Sequence, residues 1–454
     1  MQKQLDFIIG GMPRGGTTLA GKFFSLHPDI FCYAQETHVL PFLSNCFSTF
    51  PCHEKQLDRV LEEFRLQTHS VLIDMPQFNV SKGAHPGNLL FKDKDVDGIV
   101  GRVKKMLLKG LVGRRLYIET LEALRELIYV RVPREYIGEK TPGNLFAMAE
   151  HGGSSDTLQV VVVREPVGVM KSMHRRANNQ EDIYASAFRG GLEANLGMYI
   201  DYAGAAATCL KSDTSLLIRY EDLAMDPFGS VKSMFGCFGK NVDERVRAFV
   251  EGARDKEIAD RAPMNYRRLK INNDLGGLNE LDYWKTLKIT EASRKLIGYG
   301  EDQMAGFGYP SVGDWPGSDV PRVVLPMSGF HDLENNGRWM KEAGLLIAYL
   351  PSAARAVEID LWSNFPALPL DCANSALSVE VNGNVIEEMR ITKGPSSFQV
   401  VIPVMDRYVV PMGRHGGFIL IRLRSSVSYS PIAFSGGGKD WRQLSFLLTR
   451  AEVK

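Results

Sequence analysis

Cysteine is scarce in this chain: six residues of 454, at positions 32, 46, 52, 209, 237 and 372. None forms a CxxC pair and no Cys/His group has zinc-finger spacing, which excludes a zinc-built fold and a disulfide scaffold. The spacing fits reduced, mostly buried thiols in a cytoplasm. Long apolar runs are missing too. The run from Phe7 to Gly10 that follows Met-Gln-Lys-Gln-Leu-Asp is too short for a signal h-region or a membrane anchor, and no later stretch approaches the roughly 18 residues of a membrane span. A cytoplasmic protein without a transmembrane segment is expected. Charge of either sign is not in excess: 54 basic against 53 acidic residues leave a net charge of +1. Bulk electrostatic attraction to nucleic acid or to a membrane is thereby excluded, so an anion site must be a local cluster. What is present is ordinary for a globular chain, with 44% hydrophobic and 24% charged residues. The length suggests two or three domains.

The N-terminal two thirds alternate between apolar strands and helical stretches. Residues 6–10 read as a buried strand and 17–27 as a helix. Residues 56–66, 94–129 and 183–210 carry helical patterns. The β-branched run Leu158–Val163 has the character of a central parallel strand, and 215–219 is a further strand. The alternation implies a parallel α/β sheet flanked by helices. Near residue 309 the composition changes, and the Pro- and Gly-rich stretch 309–321 reads as a linker. Beyond it come short β-type segments at 345–350, 356–361, 377–382, 398–404, 418–423 and 443–449. Asn382-Gly383-Asn384 and Gly436-Gly437-Gly438 punctuate them. That pattern predicts a β-sandwich. The expected domains are 1–312 and 320–454.

The most informative motif is Gly10-Gly11-Met12-Pro13-Arg14-Gly15-Gly16-Thr17-Thr18, which follows a strand and opens a helix. Gly15 and Gly16 let the backbone approach an anion closely, and the first N–H groups of the helix point toward it. Thr17 and Thr18 add hydroxyl donors, and Arg14 adds a fixed planar cation. The segment Gly11–Gly16 fits the GxxxxG part of a nucleotide-binding P-loop. Thr17, however, stands where that motif needs its lysine, which disfavours a nucleoside triphosphatase.

A second anion-binding arrangement follows Leu158–Val163. Arg164-Glu165-Pro166 leads into a helix bearing Ser172, Arg175 and Arg176, with Pro166 suited to its first turn. An Arg at a strand end and a Ser one to two turns down the helix can converge on one phosphate. The alternative is a solvated basic helix end.

These motifs resemble the PAPS-dependent sulfotransferases. The loop PRGGTT with the downstream Leu26-His27-Pro28-Asp29-Ile30 is similar to the phosphosulfate loop of the tyrosylprotein and heparan-sulfate sulfotransferases and of many bacterial carbohydrate sulfotransferases. The resemblance covers about residues 5–310. It implies a P-loop-like fold that binds 3′-phosphoadenosine 5′-phosphosulfate (PAPS), releases 3′-phosphoadenosine 5′-phosphate (PAP) and needs no metal. It makes Arg14, Gly15, Gly16, Thr17 and Thr18 the 5′-phosphosulfate site. Arg164 and Ser172 become the 3′-phosphate ligands, with Arg176 one turn further on. Arg219-Tyr220-Glu221-Asp222-Leu223 resembles the family's RYEDL strand end, so Tyr220 either faces the donor or is a packing tyrosine. Glu36, in Gln35-Glu36-Thr37-His38, is the implied general base, and His38 is the alternative. Gly138-Glu139-Lys140-Thr141-Pro142 resembles the family's EKTP segment, where Lys140 would neutralise charge on the transferring sulfuryl group. Otherwise Lys140 is a surface lysine. Arg14 scarcely loses a proton, so its role is electrostatic. The implied reaction is direct in-line transfer.

The region 320–454 resembles β-sandwich modules of bacterial glycan-modifying enzymes. Gly329-Phe330-His331, Gly337-Arg338-Trp339 and Asp440-Trp441-Arg442 are candidates for a sugar-binding surface. Alternatively Trp339, Trp362 and Trp441 simply pack the sandwich. The expected acceptor is a hydroxyl of a glycan or glycoconjugate, as in polysaccharide biosynthesis. A protein-tyrosine sulfotransferase, a P-loop small-molecule kinase and an inactive glycan-binding protein are the competing functions.

Overall fold

Five apolar segments of the N-terminal half form a parallel sheet. The computed structural model describes residues 4–33, 36–47, 54–74, 91–152, 156–179, 185–252, 255–256, 258, 277–307, 320–334, 337–365, 375–391, 394–412, 416–426 and 444–454. Strands β1 (Phe7–Gly11), β2 (Ile30–Tyr33), β3 (Tyr136–Lys140), β4 (Leu158–Val163) and β5 (Ser215–Arg219) lie in the order β2-β3-β1-β4-β5. Every residue of β1 is buried, as are Gln159–Val163 of β4. This is why these segments read as continuous apolar runs rather than alternating ones: helices cover both faces. The chain fills the sheet outward from β1, first toward β2 and β3 and then toward β4 and β5. The carboxyl ends of β1, β3 and β4 therefore meet at a topological switch point, where open α/β sheets place their ligands.

The helices around the sheet are α1 (Thr17–Phe24), α2 (Val39–Phe47), α3 (Glu54–His69), α4 (Asp93–Leu108), α5 (Arg114–Tyr129), α6 (Asn144–His151), α7 (Pro166–Ala177) and α8 (Leu192–Cys209). The single helix expected over 94–129 is two helices. Gly110 (φ 73) and Gly113 (φ 57) sit between α4 and α5 in left-handed backbone, which stops the first and redirects the chain into the second. Helix α1 ends at Phe24 rather than at residue 27, and the 183–210 stretch begins with a 3₁₀ turn at Ala185–Phe188 before α8. Cys32 and Cys209 are buried, but Cys237 is exposed.

The C-terminal region is antiparallel and all-β: β6 (Val323–Glu334), β7 (Gly337–Pro351), β8 (Ala356–Phe365), β9 (Ala376–Val381), β10 (Asn384–Arg390), β11 (Gly394–Pro403), β12 (Val410–Pro411), β13 (Gly416–Ser425) and β14 (Leu447–Val453). The main order is β10-β9-β13-β7-β14-β8-β11. The start of β7 pairs with β14, while residues 343–351 pair with β13, so one long strand joins the two halves of a single nine-stranded sheet. Leu346, Leu350, Val379 and Ile421 from one half of this sheet share a core with Val357, Ile359, Val400 and Ile402 from the other. Asn382 (φ 46) and Gly383 (φ 82) make the two-residue hairpin turn between β9 and β10, the left-handed pair that matches strand twist. The strand expected at 443–449 lies at Leu447–Val453, and β6 and β10 were not foreseen. Most of the 309–321 stretch, Gly436–Gly438 and Asp440–Arg442 fall outside the described residues.

The two sheets are joined by a common core. Leu196, Tyr199 and Ile200 of α8 belong to the same apolar cluster as Met327, Leu345, Ile347, Tyr349 and Phe418. At Gly197 a Cβ would stand 2.6 Å from Cβ of Met327, so the helix and β6 touch backbone to side chain. Polar contacts frame this seam. Tyr349 donates to Glu193 at 3.2 Å, Lys285 pairs with the same carboxylate at 2.6 Å, and Arg422 pairs with Asp201 at 2.9 Å.

Candidate active site

The loop after β1 is held by backbone geometry. Gly15 N–H donates to the Met12 carbonyl at 2.9 Å, closing a tight turn. Gly16 has φ 98, and a Cβ there would lie 2.8 Å from Tyr220 Cδ2. Only glycine satisfies both conditions. Arg14 has φ 67, a left-handed conformation that costs a non-glycine residue about 1 kcal/mol or more. No side chain caps α1, so its first-turn N–H groups face the loop without a protein acceptor from the cap residue. Helix α7 is the opposite case. Glu165 caps it by accepting from Gly168 N–H at 2.6 Å, and Pro166 occupies the first turn.

Residues far apart in sequence converge on this loop. Arg14 Nε donates to Ser172 Oγ at 3.0 Å. Arg164 Nη1 donates to the Arg14 carbonyl at 3.3 Å, and its guanidinium lies 4.1 Å from the Tyr220 ring centroid. Arg164 Nε is buried without a hydrogen-bond partner, a donor whose desolvation is uncompensated. Thus Arg14, Gly16, Arg164, Ser172 and Tyr220 form one cluster. Thr17 is buried at the start of α1 and Thr18 is exposed. Arg176, one turn beyond Ser172, has its guanidinium 5.8 Å from the Phe188 ring.

The cluster is braced from behind by residues that sequence reasoning did not single out. Tyr299 donates to Glu221 Oε2 at 2.5 Å, and Glu221 Oε1 accepts from Glu165 N–H at 3.2 Å. Burial raises the pKa of Glu221, against the hydrogen bond from Tyr299. Tyr199 donates to the Arg164 carbonyl at 3.3 Å. Glu221 was visible as part of RYEDL; nothing local marks Tyr199 or Tyr299.

On the other side of β1, the end of β3 carries the second group. Lys140 is only 1% exposed, so it is not a surface lysine. Its Nζ donates to Glu36 Oε1 at 2.5 Å, while Glu36 Oε2 meets His38 Nε2 at 3.0 Å. Glu36 (φ 68) and His38 (φ 54) both adopt left-handed backbone. Glu139, fully buried, holds this strained segment. Its Oε1 accepts from Thr37 N–H (2.9 Å), Thr37 Oγ1 (3.0 Å) and Thr141 Oγ1 (2.6 Å), and its Oε2 accepts from Asn144 at 2.6 Å. Four donors satisfy a buried carboxylate that has no ion-pair partner among the described residues. Glu139 was in the quoted EKTP segment, but only the packing reveals it as the tether.

Electrostatics separate the two partners of the Glu36–Lys140 pair from their surroundings. Burial pushes the Glu36 carboxyl up, but the Lys140 charge, with hydrogen bonds from His38 and Lys140, brings it down to about 2. Lys22, on α1, is lowered by burial and by the nearby Lys140 charge, which puts a second cation in this region. Aromatic pairs flank it: His38 stacks on Phe42 with centroids 5.6 Å apart, and Phe146 meets Tyr202 edge-on at 4.6 Å. Burial and then the Glu36 charge raise the Tyr202 hydroxyl. Phe146 is 42% exposed, high for so large an apolar ring. Among the described residues no group of three or more His, Cys, Asp and Glu is placed to hold a metal, and no helix is long and apolar enough to cross a membrane.

An uncapped helix start, an arginine whose Nε is buried and unpaired, and an acid–lysine pair thus lie together at the switch point of a parallel sheet. The sulfotransferase family matches residues 6–244, and the chain belongs to that family. Among solved structures, the sulfotransferase domain from the curacin biosynthetic pathway is 18% identical with a TM-score of 0.33, over 69% of this chain and 100% of that one. A sulfotransferase from Mycobacterium avium is 13% identical with a TM-score of 0.34, over 68% and 78%. A family two carbohydrate esterase from Clostridium thermocellum in complex with cellohexaose is 12% identical with a TM-score of 0.16, over 29% and 33%. The family assignment rests on the sequence match rather than on these distant likenesses. No curated protein matches the chain.

Proposed function

We propose that this chain transfers a sulfuryl group from PAPS to a hydroxyl of a glycan or glycoconjugate. The observation that carries the reading is the convergence of Arg14, Ser172 and Arg164 on one side of β1 with the Glu36–Lys140 pair on the other. The uncapped start of α1, with Arg14, Gly15, Gly16, Thr17 and Thr18, suits the 5′-phosphosulfate. Arg164, Ser172 and Arg176 suit the 3′-phosphate, and the orphaned Arg164 Nε is the kind of donor that an anion satisfies. Tyr220 forms the floor under Arg164. The bound donor supplies an electrophilic sulfur and a phosphate leaving group.

Glu36 accepts the proton of the acceptor hydroxyl as its oxygen attacks. With its pKa near 2, Glu36 is ionised but a weak base while Lys140 holds it. Lys140 can serve a carboxylate or an anionic group in the loop, not both fully. As its ammonium turns to the incoming negative charge, Glu36 loses the strongest influence lowering its pKa, and burial then raises its basicity. His38 keeps the second carboxylate oxygen oriented. Arg14 and Lys140 stabilise the charge that develops on the departing oxygen. The aromatic pairs beside Glu36 suit a ring-shaped acceptor, either a sugar or the phenol of a tyrosyl peptide.

The test is calorimetric titration with PAP and with ATP, with and without magnesium, on the wild type and on Arg14→Ala and Arg164→Ala. Micromolar PAP binding without metal, lost in both variants, supports the donor site. Preference for ATP with magnesium sinks the reading in favour of a kinase. Sulfate transfer from labelled donor to neutral oligosaccharides and to a tyrosyl peptide then separates the two acceptor classes.

A further inference from the structure

The outer face of the C-terminal sheet bears an aromatic groove distant in sequence from the transfer site. Along β8 the burial alternates, with Val357, Ile359 and Leu361 turned to the core and Glu358, Asp360 and Trp362 to the outside. Across the sheet, Trp362 is in register with Ser397 of β11 and with Leu447 of β14, which is itself in register with Trp339 of β7. Laterally paired residues share a face, so one row presents Ser397, Trp362, Leu447 and Trp339. The two indoles meet edge-on, centroids 5.9 Å apart. In the next row Asp360 is in register with Gln399, two residues along each strand and therefore roughly 7 Å away on the same face. Trp362, Asp360, Ser397, Gln399 and Thr449 line an open groove of about 600 Å³.

We infer that this groove binds an uncharged sugar chain. An indole offers an apolar platform for the C–H face of a pyranose, and its polar edge needs no partner there. The carboxylate, amide and hydroxyl groups of Asp360, Gln399, Ser397 and Thr449 offer both donors and acceptors to the hydroxyls at a stacked ring's rim. Charge chooses among glycans. Arg450 is paired with Glu358 (3.5 Å), Asp360 (3.4 Å) and Glu452 (2.8 Å), and Lys454 with Glu358 (3.7 Å) and Glu452 (2.6 Å). Three carboxylates against two cations leave this network one negative charge in excess. A sulfated chain is repelled and a neutral one is not. If the proposed transfer is correct, the groove holds the acceptor before sulfation and releases it afterwards. This last step rests on the proposed function; sugar binding by the groove does not.

The experiment is affinity electrophoresis of the full-length protein through gels containing hydroxyethylcellulose, xylan, galactomannan or dextran, and through gels containing heparin or chondroitin sulfate. The wild type is expected to be retarded by at least one neutral polysaccharide and by neither sulfated one. Trp362→Ala should weaken that binding about tenfold or more. Gln399→Ala, an exposed position whose loss leaves the core intact, should weaken it several-fold with an unchanged melting curve. Arg164→Ala should bind as wild type, because the groove is independent of the donor site. No retardation by any neutral chain, wild-type binding in both groove variants, or tighter binding to the sulfated chains would each overturn the inference. Retained polysaccharide binding in a protein that fails to bind PAP would count against the proposed transfer alone.

Discussion

Arg14 and Ser172 stand 158 positions apart in the chain, yet Arg14 Nε donates to Ser172 Oγ at 3.0 Å. The bond links the loop after β1 to helix α7 and so ties the two proposed anion-binding elements into one unit. It also means that Arg14 is ordered by the fold while exposed to solvent.

Removing either partner should therefore affect both halves of the proposed donor site. Arg14→Ala and Ser172→Ala are each expected to weaken PAP binding, by about 100-fold and about tenfold respectively. The double variant should lose less than the sum, because the two act together. Calorimetry on the four proteins measures the coupling, and strict additivity would show that the bond has no part in binding.

Gly16→Ala should disable the loop through two independent strains. Its φ of 98 is unfavourable for alanine, and the new methyl group would press on the Tyr220 ring. A loss of about 1–3 kcal/mol is expected, with PAP binding abolished. Pairing Gly16→Ala with Tyr220→Ala should recover part of the loss only, since the backbone cost stays. Thermal unfolding separates the two contributions.

Glu36→Gln and Lys140→Met should both lower kcat, by about 10²–10⁴-fold. They should differ in binding. Glu36→Gln frees Lys140 and should leave PAP affinity unchanged or improved, whereas Lys140→Met should weaken it. Wild-type turnover by Glu36→Gln would transfer the base role to His38, which contacts the same carboxylate.

The Glu36–Lys140 pair also predicts a pH dependence of stability. The folded-state pKa of Glu36 lies below the ordinary carboxylate value, at about 2. Its contribution is thus fully present above about pH 4.5 and is lost as the pH falls toward 2. Glu36 is 27% exposed, so solvent screening limits the effect to about 1–2 kcal/mol. The stability gap between wild type and Glu36→Gln should close over that window in urea titrations. A gap that persists at pH 2 would show that the pair is not its source.

A fragment ending at residue 319 should fold poorly. It would uncover the face of α8 around Gly197 that packs on Met327, and leave Glu193 and Asp201 without Tyr349 and Arg422. At roughly 1.5–3 kcal/mol for each large apolar side chain returned to water, the fragment should melt well below the full chain or aggregate. Equal melting temperatures would show that the seam contributes nothing.

Much of the fold around the proposed donor site was legible in the sequence because it is local. A buried strand, a Gly-rich turn and a helix start follow one another from Phe7 to Phe24, and each has its own residue signature. The strand Leu158–Val163 with Arg164 and Pro166 is equally local. Misjudged elements were those where local signals compete. Gly110 and Gly113 interrupted a charged stretch whose helical period continued on either side, and β10 (Asn384–Arg390) lies largely exposed, so no buried alternation marked it.

By itself the sequence determined the family: a Gly-rich loop with Thr17 where a nucleotide-binding loop has its lysine, a parallel α/β core and an appended β module. Only the tertiary structure decided which side chains share the site. Contacts such as Glu139 with Thr37, Tyr299 with Glu221, Arg14 with Ser172 and Trp362 with Trp339 join residues that carry no signal toward one another along the chain. Their partners are selected by sheet order, register and burial, which are properties of the packed molecule: desolvating a charge or an aromatic edge is tolerated only where the fold supplies the matching group.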